Sequence, residues 1–265
     1  MNVTANGINI RYTIEGPERA PVVTLSHSLS TDLSMWEPQM EALTSQYRVL
    51  RYDTRGHGGT DAPEGPYSLE QLAEDAMALL GALGISRTHF IGLSMGGMIG
   101  QVLAMSHPEV LHGLILCDTS SRMPDEAKPV WAERIQEVQA EGMEGQVEPT
   151  MERWFTAPFR ESRSAELNPV REMIRKTKPA GYIGCCHAIQ SLDLADQISR
   201  IAVPTMVIVG EEDPGTPVEA AQAIHDQIKD SELVILKSAA HLSSMEQPKA
   251  FNDAVTGFLA ELGNH

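Results

Sequence analysis

The feature that most constrains this chain is a strand, a glycine-rich turn and a buried helix that follow one another around residue 94. The pentapeptide Gly92-Leu93-Ser94-Met95-Gly96 has the form G-x-S-x-G. Residues 87–91 before it are typical of a strand, and residues 97–105 after it carry the apolar pattern of a buried helix. This is the context that a nucleophile elbow requires, with glycines that let backbone pack closely around a strained turn. The alternative is a small-residue turn in which Ser94 only caps the helix, and the flanking elements favour the nucleophile.

Length and composition are those of a folded α/β protein without a membrane span. A chain of 265 residues can bury a sizeable core, and α/β folds of this length often form one domain. It has no run of about 18 apolar residues, and its N-terminus lacks the basic start and apolar stretch of a signal peptide. Three cysteines, of which Cys185 and Cys186 are adjacent, make a poor disulfide framework. We therefore expect a cytoplasmic protein.

The net charge of −16 argues against binding to nucleic acid or to an anionic membrane surface. Residues 122–190 contain 10 Lys or Arg and 11 Asp or Glu, a net charge of −1, which leaves 10 basic and 25 acidic residues, a net charge of −15, in the rest of the chain. A solvated acidic surface is the simpler explanation of this distribution. The alternative is that the middle segment supplies a cation to an anionic substrate, and Arg122, Arg134 and Arg153 are all candidates.

Strand-like and helical segments alternate along most of the chain, which predicts a mostly parallel sheet covered by helices on both faces. After a hairpin at Asn6-Gly7, we predict strands at 21–26, 47–52, 87–91, 111–117, 204–210 and 233–236, and helices at 36–46, 68–83, 97–105 and 248–262. A further helix is predicted to open with Thr216 as N-cap. Residues 122–190 break the alternation with polar, helix-rich sequence. We interpret 1–121 and 191–265 as the core and 122–190 as a helical cap inserted after the sixth strand.

A serine hydroxyl is a weak nucleophile near neutral pH, so it needs a base, an acid that orients the base, and donors for an oxyanion. Among nine histidines His241 is the best base, because residues 238–242 form a small-residue loop after the last strand, where catalytic groups of parallel sheets gather. Asp213 and Asp118 both follow strands and both preserve the order serine, acid, histidine. We favour Asp213, since the prolines after it define a turn that can aim a carboxylate. Asp118 is then a helix cap or turn residue.

Two backbone N–H groups near Ser94 are required to hold an oxyanion. The elbow motif assigns one to Met95, the residue after the nucleophile, and the other to the loop His27-Ser28-Leu29-Ser30 after the early strand, with Leu29 favoured. We interpret His27 as a side chain that shapes this loop and not as one that reacts.

The glycine-rich segment 53–60 also follows a strand, and we expect Asp53, Arg55 and His57 to brace it. The chain contains neither G-x-x-x-x-G-K-[ST] nor G-x-G-x-x-G, so nucleotide binding is not expected. It also lacks H-E-x-x-H and paired C-x-x-C motifs, which argues against a metal site. No cofactor is expected.

Taken together, these segments resemble the α/β-hydrolases and, more narrowly, the 3-oxoadipate enol-lactone hydrolases of aromatic catabolism. The matching segments are 28–36, 47–58, 65–68, 92–100, 154–156, 181–186, 210–217 and 241–248. The resemblance implies an α/β-hydrolase fold, with a mostly parallel eight-stranded sheet flanked by helices and a helical cap after the sixth strand. It also implies Ser94 as nucleophile, Asp213 as acid, His241 as base, and Leu29 and Met95 as oxyanion donors.

The activity that the resemblance implies is hydrolysis of a small ester or lactone through an acyl-enzyme on Ser94. Residues proposed to contact the substrate are Trp36, Trp131, Trp154 and Arg134, although each tryptophan is equally well explained as a core anchor. Two alternatives stay open: a short-chain carboxylesterase of broad specificity, with perhydrolysis as a side activity, and a ligand-sensing protein that kept the pocket. Dehalogenases and epoxide hydrolases of this fold use Asp at the elbow, so Ser94 excludes their mechanism. The sequence does not indicate the oligomeric state.

Overall fold

The computed structural model describes residues 1–263, so residues 264 and 265 of the predicted core segment lie outside the described part. The strands are β1 (Asn2–Ala5), β2 (Ile8–Glu15), β3 (Val22–Ser26), β4 (Arg48–Tyr52), β5 (Thr88–Leu93), β6 (Leu111–Cys117), β7 (Thr205–Gly210) and β8 (Glu232–Leu236). They form one eight-stranded sheet in the order β1-β2-β4-β3-β5-β6-β7-β8. Only β2 pairs antiparallel, with β1 and β4, and the remaining pairs are parallel. The mostly parallel eight-stranded sheet that the sequence predicts is therefore confirmed.

Helices follow the strands and cover the sheet. They are α1 (Glu37–Thr44), α2 (Leu69–Ala82), α3 (Met95–Ser106), α4 (Lys128–Glu141), α5 (Val147–Trp154), α6 (Ala157–Ser162), α7 (Asn168–Lys176), α8 (Pro179–Gln190), α9 (Val218–His225), α10 (Ser243–Glu246) and α11 (Pro248–Leu262). Helices α4 to α8 lie between β6 and β7 in the chain, within the segment predicted as the cap; the division into core and cap stays a prediction. None of the helices in residues 1–263 is long and apolar enough to cross a membrane.

The central strands show why the apolar runs of the sequence become a sheet. Every residue of β5 is buried, and so is every residue of β6 except His112. Helix α3 packs on β5 and β6, and α11 contacts β6. Parallel strands covered on both faces are expected to be almost continuously apolar, which is the pattern that both segments carry.

Helix α2 begins as its sequence predicts. The Ser68 hydroxyl accepts a hydrogen bond of 3.1 Å from the Gln71 backbone N–H, which satisfies one of the free amides of the first turn. The side chains of Leu72, Ala76 and Leu79 are buried on the face that the 3.6-residue period predicts. Capping and amphipathic spacing together therefore account for this helix.

Two glycines of the pentapeptide are required by close backbone approach between β5, α3 and β3. A Cβ atom added at Gly92 would lie 2.1 Å from the carbonyl oxygen of Gly96. A Cβ atom added at Gly96 would lie 2.1 Å from the carbonyl oxygen of Ser26 at the end of β3. Backbone atoms cannot yield as a flexible side chain does, so any larger residue forces these elements apart.

We predict that Gly96→Ala lowers the free energy of unfolding by about 1–3 kcal/mol, because the added methyl group overpacks this junction. Gly257→Ala is the control: it lies within α11, where an added Cβ meets no atom within 4 Å, and it should raise stability by up to about 1 kcal/mol. Urea unfolding of both variants measures the two effects. Equal stability of the two variants would contradict the close packing.

Candidate active site

Ser94 occupies a strained turn between β5 and α3. Its backbone angles are φ 56° and ψ −115°, a conformation that residues with a Cβ rarely adopt. The Ser94 N–H donates to the Cys117 carbonyl over 2.8 Å, and the Thr119 hydroxyl donates to the Ser94 carbonyl over 2.7 Å. Such strain costs about 1–3 kcal/mol and persists only where the surroundings impose it. The turn is a nucleophile elbow in its geometry.

The structure brings Ser94, His241 and Asp213 together at the carboxyl edge of the sheet. His241, in the loop after β8, places Nε2 2.9 Å from Ser94 Oγ. Its Nδ1 lies 2.7 Å from Asp213 Oδ2, in the loop after β7. Since Asp213 is ionised and accepts, Nδ1 carries the proton, and the Nε2 lone pair is left to accept from the serine hydroxyl. This is the hydrogen-bonded arrangement of a nucleophile, its base and an orienting acid.

Asp213 is held by its own turn. Oδ1 accepts from the backbone N–H of Gly215 over 2.8 Å and of Thr216 over 3.1 Å, and Oδ2 accepts from the Thr216 hydroxyl over 2.7 Å. The prediction that Thr216 caps the following helix is wrong: α9 begins at Val218 with Pro217 at the N-cap position. The Thr216 hydroxyl donates a charge-assisted hydrogen bond to the ionised carboxylate and does not accept from the N-terminal amides of α9, so the threonine supports the acid. The signal in the sequence is an Asp with a Thr three residues later in a proline-bounded turn.

The two charged partners shift each other's pKa values. Burial alone would lower the pKa of His241, but the charge and hydrogen bond of Asp213 outweigh it and the net shift is upward. Burial alone would raise the pKa of Asp213, but the charge of His241 and the hydrogen bonds from His241 and Thr216 outweigh it and the net shift is downward. Asp213 therefore stays ionised at neutral pH and stabilises a positive charge on His241.

Asp118, the other acid that the sequence offers, makes no hydrogen bond to His241. Its Oδ1 accepts from the Gly210 N–H over 2.8 Å and its Oδ2 accepts from the Ser243 hydroxyl over 2.6 Å. Burial, together with the charge of Asp213, raises the pKa of Asp118 to about 8. Asp118 thus links the end of β6 to β7 and to α10, as a turn residue, and the geometry favours Asp213 as the acid.

Two backbone amides are expected to hold an oxyanion near Ser94. One belongs to the next residue in the chain, and the other belongs to the loop after β3. Met95 is the first residue of α3, where backbone N–H groups have no partner within the helix. Leu29 lies in the loop after β3 and lines the same cavity as Ser94. Within residues 1–263, no atom accepts a hydrogen bond from either amide. Their role as oxyanion donors stays a prediction.

A cavity of about 510 Å³ lies between the carboxyl edge of the sheet and helices α4, α5 and α8, and Ser94 and His241 open into it. Three residues predicted to contact substrate, namely Trp131, Trp154 and Arg134, line this cavity. Trp36 does not, which departs from the expectation for that residue. It lies just before α1 and is fully buried in the core, because its ring packs against α11, 6.2 Å from the ring of Phe251.

Three arginines line the cavity, and within residues 1–263 only Arg122 has carboxylate partners. Arg122 pairs with Asp193 at 2.8 Å and with Asp196 at 3.0 Å. Neither Arg134 nor Arg153 forms an ion pair with any carboxylate in the described part of the chain. Arg134 stacks over the Trp131 ring at 4.7 Å. Burial, with the charge of Arg134, lowers the pKa of Arg153 to about 10, so it is still cationic at neutral pH.

Across residues 1–263, no group of three or more His, Cys, Asp or Glu side chains is arranged to hold a metal ion.

We predict that the pKa of His241 lies above 6.5 in an NMR titration of the histidines and falls in Asp213→Asn, because the variant loses the carboxylate that stabilises the imidazolium. A raised histidine pKa stabilises the fold below the unfolded pKa, and this contribution is lost as the pH rises through the folded pKa. Asp253→Asn, an exposed residue that pairs with Lys249 on α11, is the control and should leave the His241 titration unchanged. An unchanged titration in Asp213→Asn would contradict the assignment.

Comparisons with known proteins identify the family of this chain. The profile of the alpha/beta hydrolase fold family matches residues 21–248. The 3-oxoadipate enol-lactonase 2 of Acinetobacter baylyi is 38% identical over 253 residues, 96% of this chain and 94% of that protein. The crystal structure of the enol-lactonase from Burkholderia xenovorans LB400 is 38% identical with a TM-score of 0.95, covering 98% of this chain and 100% of that one. A thermophilic esterase from Thermogutta terrifontis is 29% identical with a TM-score of 0.93, covering 99% and 98%. The chain therefore belongs to the α/β-hydrolase family and is similar to its enol-lactonases.

Proposed function

We propose that this protein is a serine hydrolase that cleaves a small anionic ester or lactone, with 3-oxoadipate enol-lactone as the favoured substrate. The observation that carries the proposal is the hydrogen-bonded chain from Ser94 through His241 to Asp213, opening into a cavity lined by Arg134 and Arg153, which have no carboxylate partner among the described residues. The relatives described as enol-lactonases support the lactone as substrate.

The first half of the reaction forms an acyl-enzyme. Ser94 Oγ transfers its proton to His241 Nε2 as it attacks the carbonyl carbon, and Asp213 stabilises the imidazolium. The N–H groups of Leu29 and Met95 hold the negative charge that develops on the carbonyl oxygen. His241 then gives the proton to the departing ring oxygen, the ring opens, and the enol tautomerises to a ketone while the acyl group stays on Ser94.

The second half releases the acid. Water gives a proton to His241 and attacks the acyl carbonyl, and the same two amides hold the second oxyanion. Collapse of this intermediate breaks the bond to Ser94 Oγ, which takes the proton back from His241. The enzyme returns to its starting state with a free carboxylic acid as product, so no cofactor is required.

Arg134 and Arg153 form no ion pair within residues 1–263, and this is why we favour an anionic substrate over a neutral one. Arg153 is partly buried, with its Nη2 donating to the Thr150 hydroxyl over 2.8 Å, and its lowered pKa reflects the cost of holding the cation there. A substrate carboxylate would supply the missing countercharge through charge-assisted hydrogen bonds. Arg134, fixed against Trp131, supplies a second cation on the same wall.

A carboxylesterase of broad specificity is the second candidate, since the esterase from Thermogutta terrifontis shares the fold over almost the whole chain. The apolar part of the cavity, with Met98, Trp131, Trp154 and Ile189, would accept simple acyl groups. Both candidates use the same chemistry at Ser94. They differ in whether the positive charges of Arg134 and Arg153 contribute to substrate binding.

We predict that wild-type protein hydrolyses 3-oxoadipate enol-lactone with a kcat/KM in the upper range for enzymes, about 10⁶–10⁸ M⁻¹ s⁻¹, and that Ser94→Ala removes nearly all of this turnover. Steady-state kinetics with the lactone and with p-nitrophenyl acetate, for both proteins, measures it. Weak lactone turnover beside good Ser94-dependent ester cleavage would mean an esterase. Turnover that survives in Ser94→Ala would contradict the serine mechanism.

We predict that Arg153→Gln lowers kcat/KM for the anionic lactone by about 10- to 100-fold, since a hydrogen bond to a charged group contributes about 1.5–3 kcal/mol. Hydrolysis of neutral p-nitrophenyl acetate should change little. Arg122→Gln is the matched control, because its guanidinium already pairs with Asp193 and Asp196. Equal losses on the anionic and the neutral substrate would show that Arg153 acts on the fold and not on a substrate carboxylate.

A further inference from the structure

The loop that carries Leu29 is held by two histidines that the reaction itself does not use. His27 belongs to the loop, and His57 comes from the glycine-rich segment 53–60. Both side chains are fully buried, and their rings lie 5.3 Å apart. Burying two titratable rings beside each other is costly unless their hydrogen bonds are satisfied. The hydrogen-bond partners of His27 and His57 therefore indicate the role of the two side chains.

The Ser28 carbonyl is held by donors from two side chains. It lies 2.7 Å from His27 Nδ1 and accepts from the Thr31 hydroxyl over 2.8 Å, with the Thr31 N–H at 3.3 Å. The Ser28 carbonyl and the Leu29 N–H belong to one planar trans peptide group, so they point in opposite directions. Whatever holds the carbonyl in place also sets the direction of the Leu29 N–H.

The next peptide group of the loop is held by the second histidine. The Ser30 N–H donates to His57 Nε2 over 3.0 Å, and His57 Nδ1 lies 3.2 Å from the Arg55 carbonyl. Ser30 itself has φ 61°, a strained conformation for a residue with a Cβ. The peptide groups on both sides of Leu29 are therefore tied to imidazole nitrogens.

The network also defines the protonation of both rings. His27 Nε2 accepts from the Thr54 N–H over 2.9 Å, so the proton of a neutral ring is on Nδ1, where it is donated to Ser28. His57 has the same tautomer, since its Nε2 accepts from Ser30. Burial lowers the pKa of both rings, that of His57 to about 3, so both remain neutral acceptors near neutral pH.

We propose that His27 and Thr31 are positioning residues that aim the Leu29 N–H at the oxyanion, and that His57 holds the loop in this orientation through Ser30. The inference rests on the proposed function, in which Leu29 supplies an oxyanion donor. A donor aimed before the reaction begins stabilises the transition state more than the bound substrate. Loss of this aim therefore lowers kcat and leaves KM almost unchanged.

Two pairs of variants separate the hydrogen bonds of each ring. The amide of Asn lies where Nδ1 of His lies, and the amide of Gln reaches to Nε2. His27→Asn keeps a donor for Ser28, whereas His27→Gln keeps only a partner for Thr54. At position 57 the order reverses, because His57→Gln keeps the acceptor for Ser30 and His57→Asn loses it.

We expect kcat for p-nitrophenyl acetate to fall by about 10- to 100-fold in His27→Gln and His57→Asn, which is less than the full loss of an oxyanion donor. In His27→Asn and His57→Gln, kcat should stay within about threefold of wild type.

A milder pair covers the case in which a histidine variant does not fold. Thr31→Val removes the hydroxyl donor to Ser28, and Thr31→Ser keeps it. The affinity of phenylboronic acid is the second readout, since its adduct with Ser94 places an oxygen where the oxyanion forms. It should weaken in Thr31→Val in proportion to the loss in kcat, and it should be retained in Thr31→Ser.

The outcomes distinguish this inference from the proposed function. Wild type without Ser94-dependent turnover would overturn both. Wild type with Ser94-dependent turnover, but with equal kcat and equal boronate affinity within the Thr31 pair and within each folded histidine pair, would overturn the positioning role alone. A change confined to KM would also overturn it, because it would show that the loop shapes the pocket and not the oxyanion donor.

Discussion

The left-handed backbone of Ser94 is the constraint on which the rest of the site depends. It is imposed by two contacts too close for any side chain, at Gly92 and Gly96, and by the hydrogen bond from Ser94 to Cys117 in the neighbouring strand. These contacts hold the carboxyl ends of the central strands β3, β5 and β6 together. The core of the protein therefore positions the serine hydroxyl and the first amide of α3. Strain of about 1–3 kcal/mol persists here because these surrounding contacts hold the backbone in place.

Asp213 and Asp118 are both buried near His241, and the hydrogen-bond donors around each side chain give the two residues different roles. Asp213 receives the hydroxyl and two amides of its own turn besides His241, and its pKa falls, whereas burial raises the pKa of Asp118 to about 8. Asp118 instead contacts Ser243 in the short helix α10, directly after the histidine loop. From the same helix, Glu246 accepts from the N–H groups of Ala240 and Thr156. This helix therefore ties the histidine loop to the sheet and to the segment between α5 and α6.

The sequence predicted those features that depend on local pattern. The bounds of β6 and α11 follow from their apolar runs and flanking residues, and the order serine, acid, histidine follows from the alternation of strands and helices. It did not distinguish Trp36 from Trp154, because whether an aromatic ring faces the core or a cavity is decided by elements far away in the chain. Arg122 and Arg153 were equivalent for the same reason: the carboxylates that neutralise Arg122 lie some 70 residues later, at Asp193 and Asp196.

The charge of the whole protein and the charge of its cavity act at different ranges. A net charge of −16 repels an anion at a distance, but salt screens this repulsion beyond about 8–10 Å at physiological ionic strength. Inside the cavity, Arg153 is partly desolvated, at a cost in free energy, and Arg134 stacks on the Trp131 ring. A substrate carboxylate removes part of this cost, and a neutral ester leaves it in place. In the function proposed here, the difference between those two free energies favours a lactone acid over a simple ester.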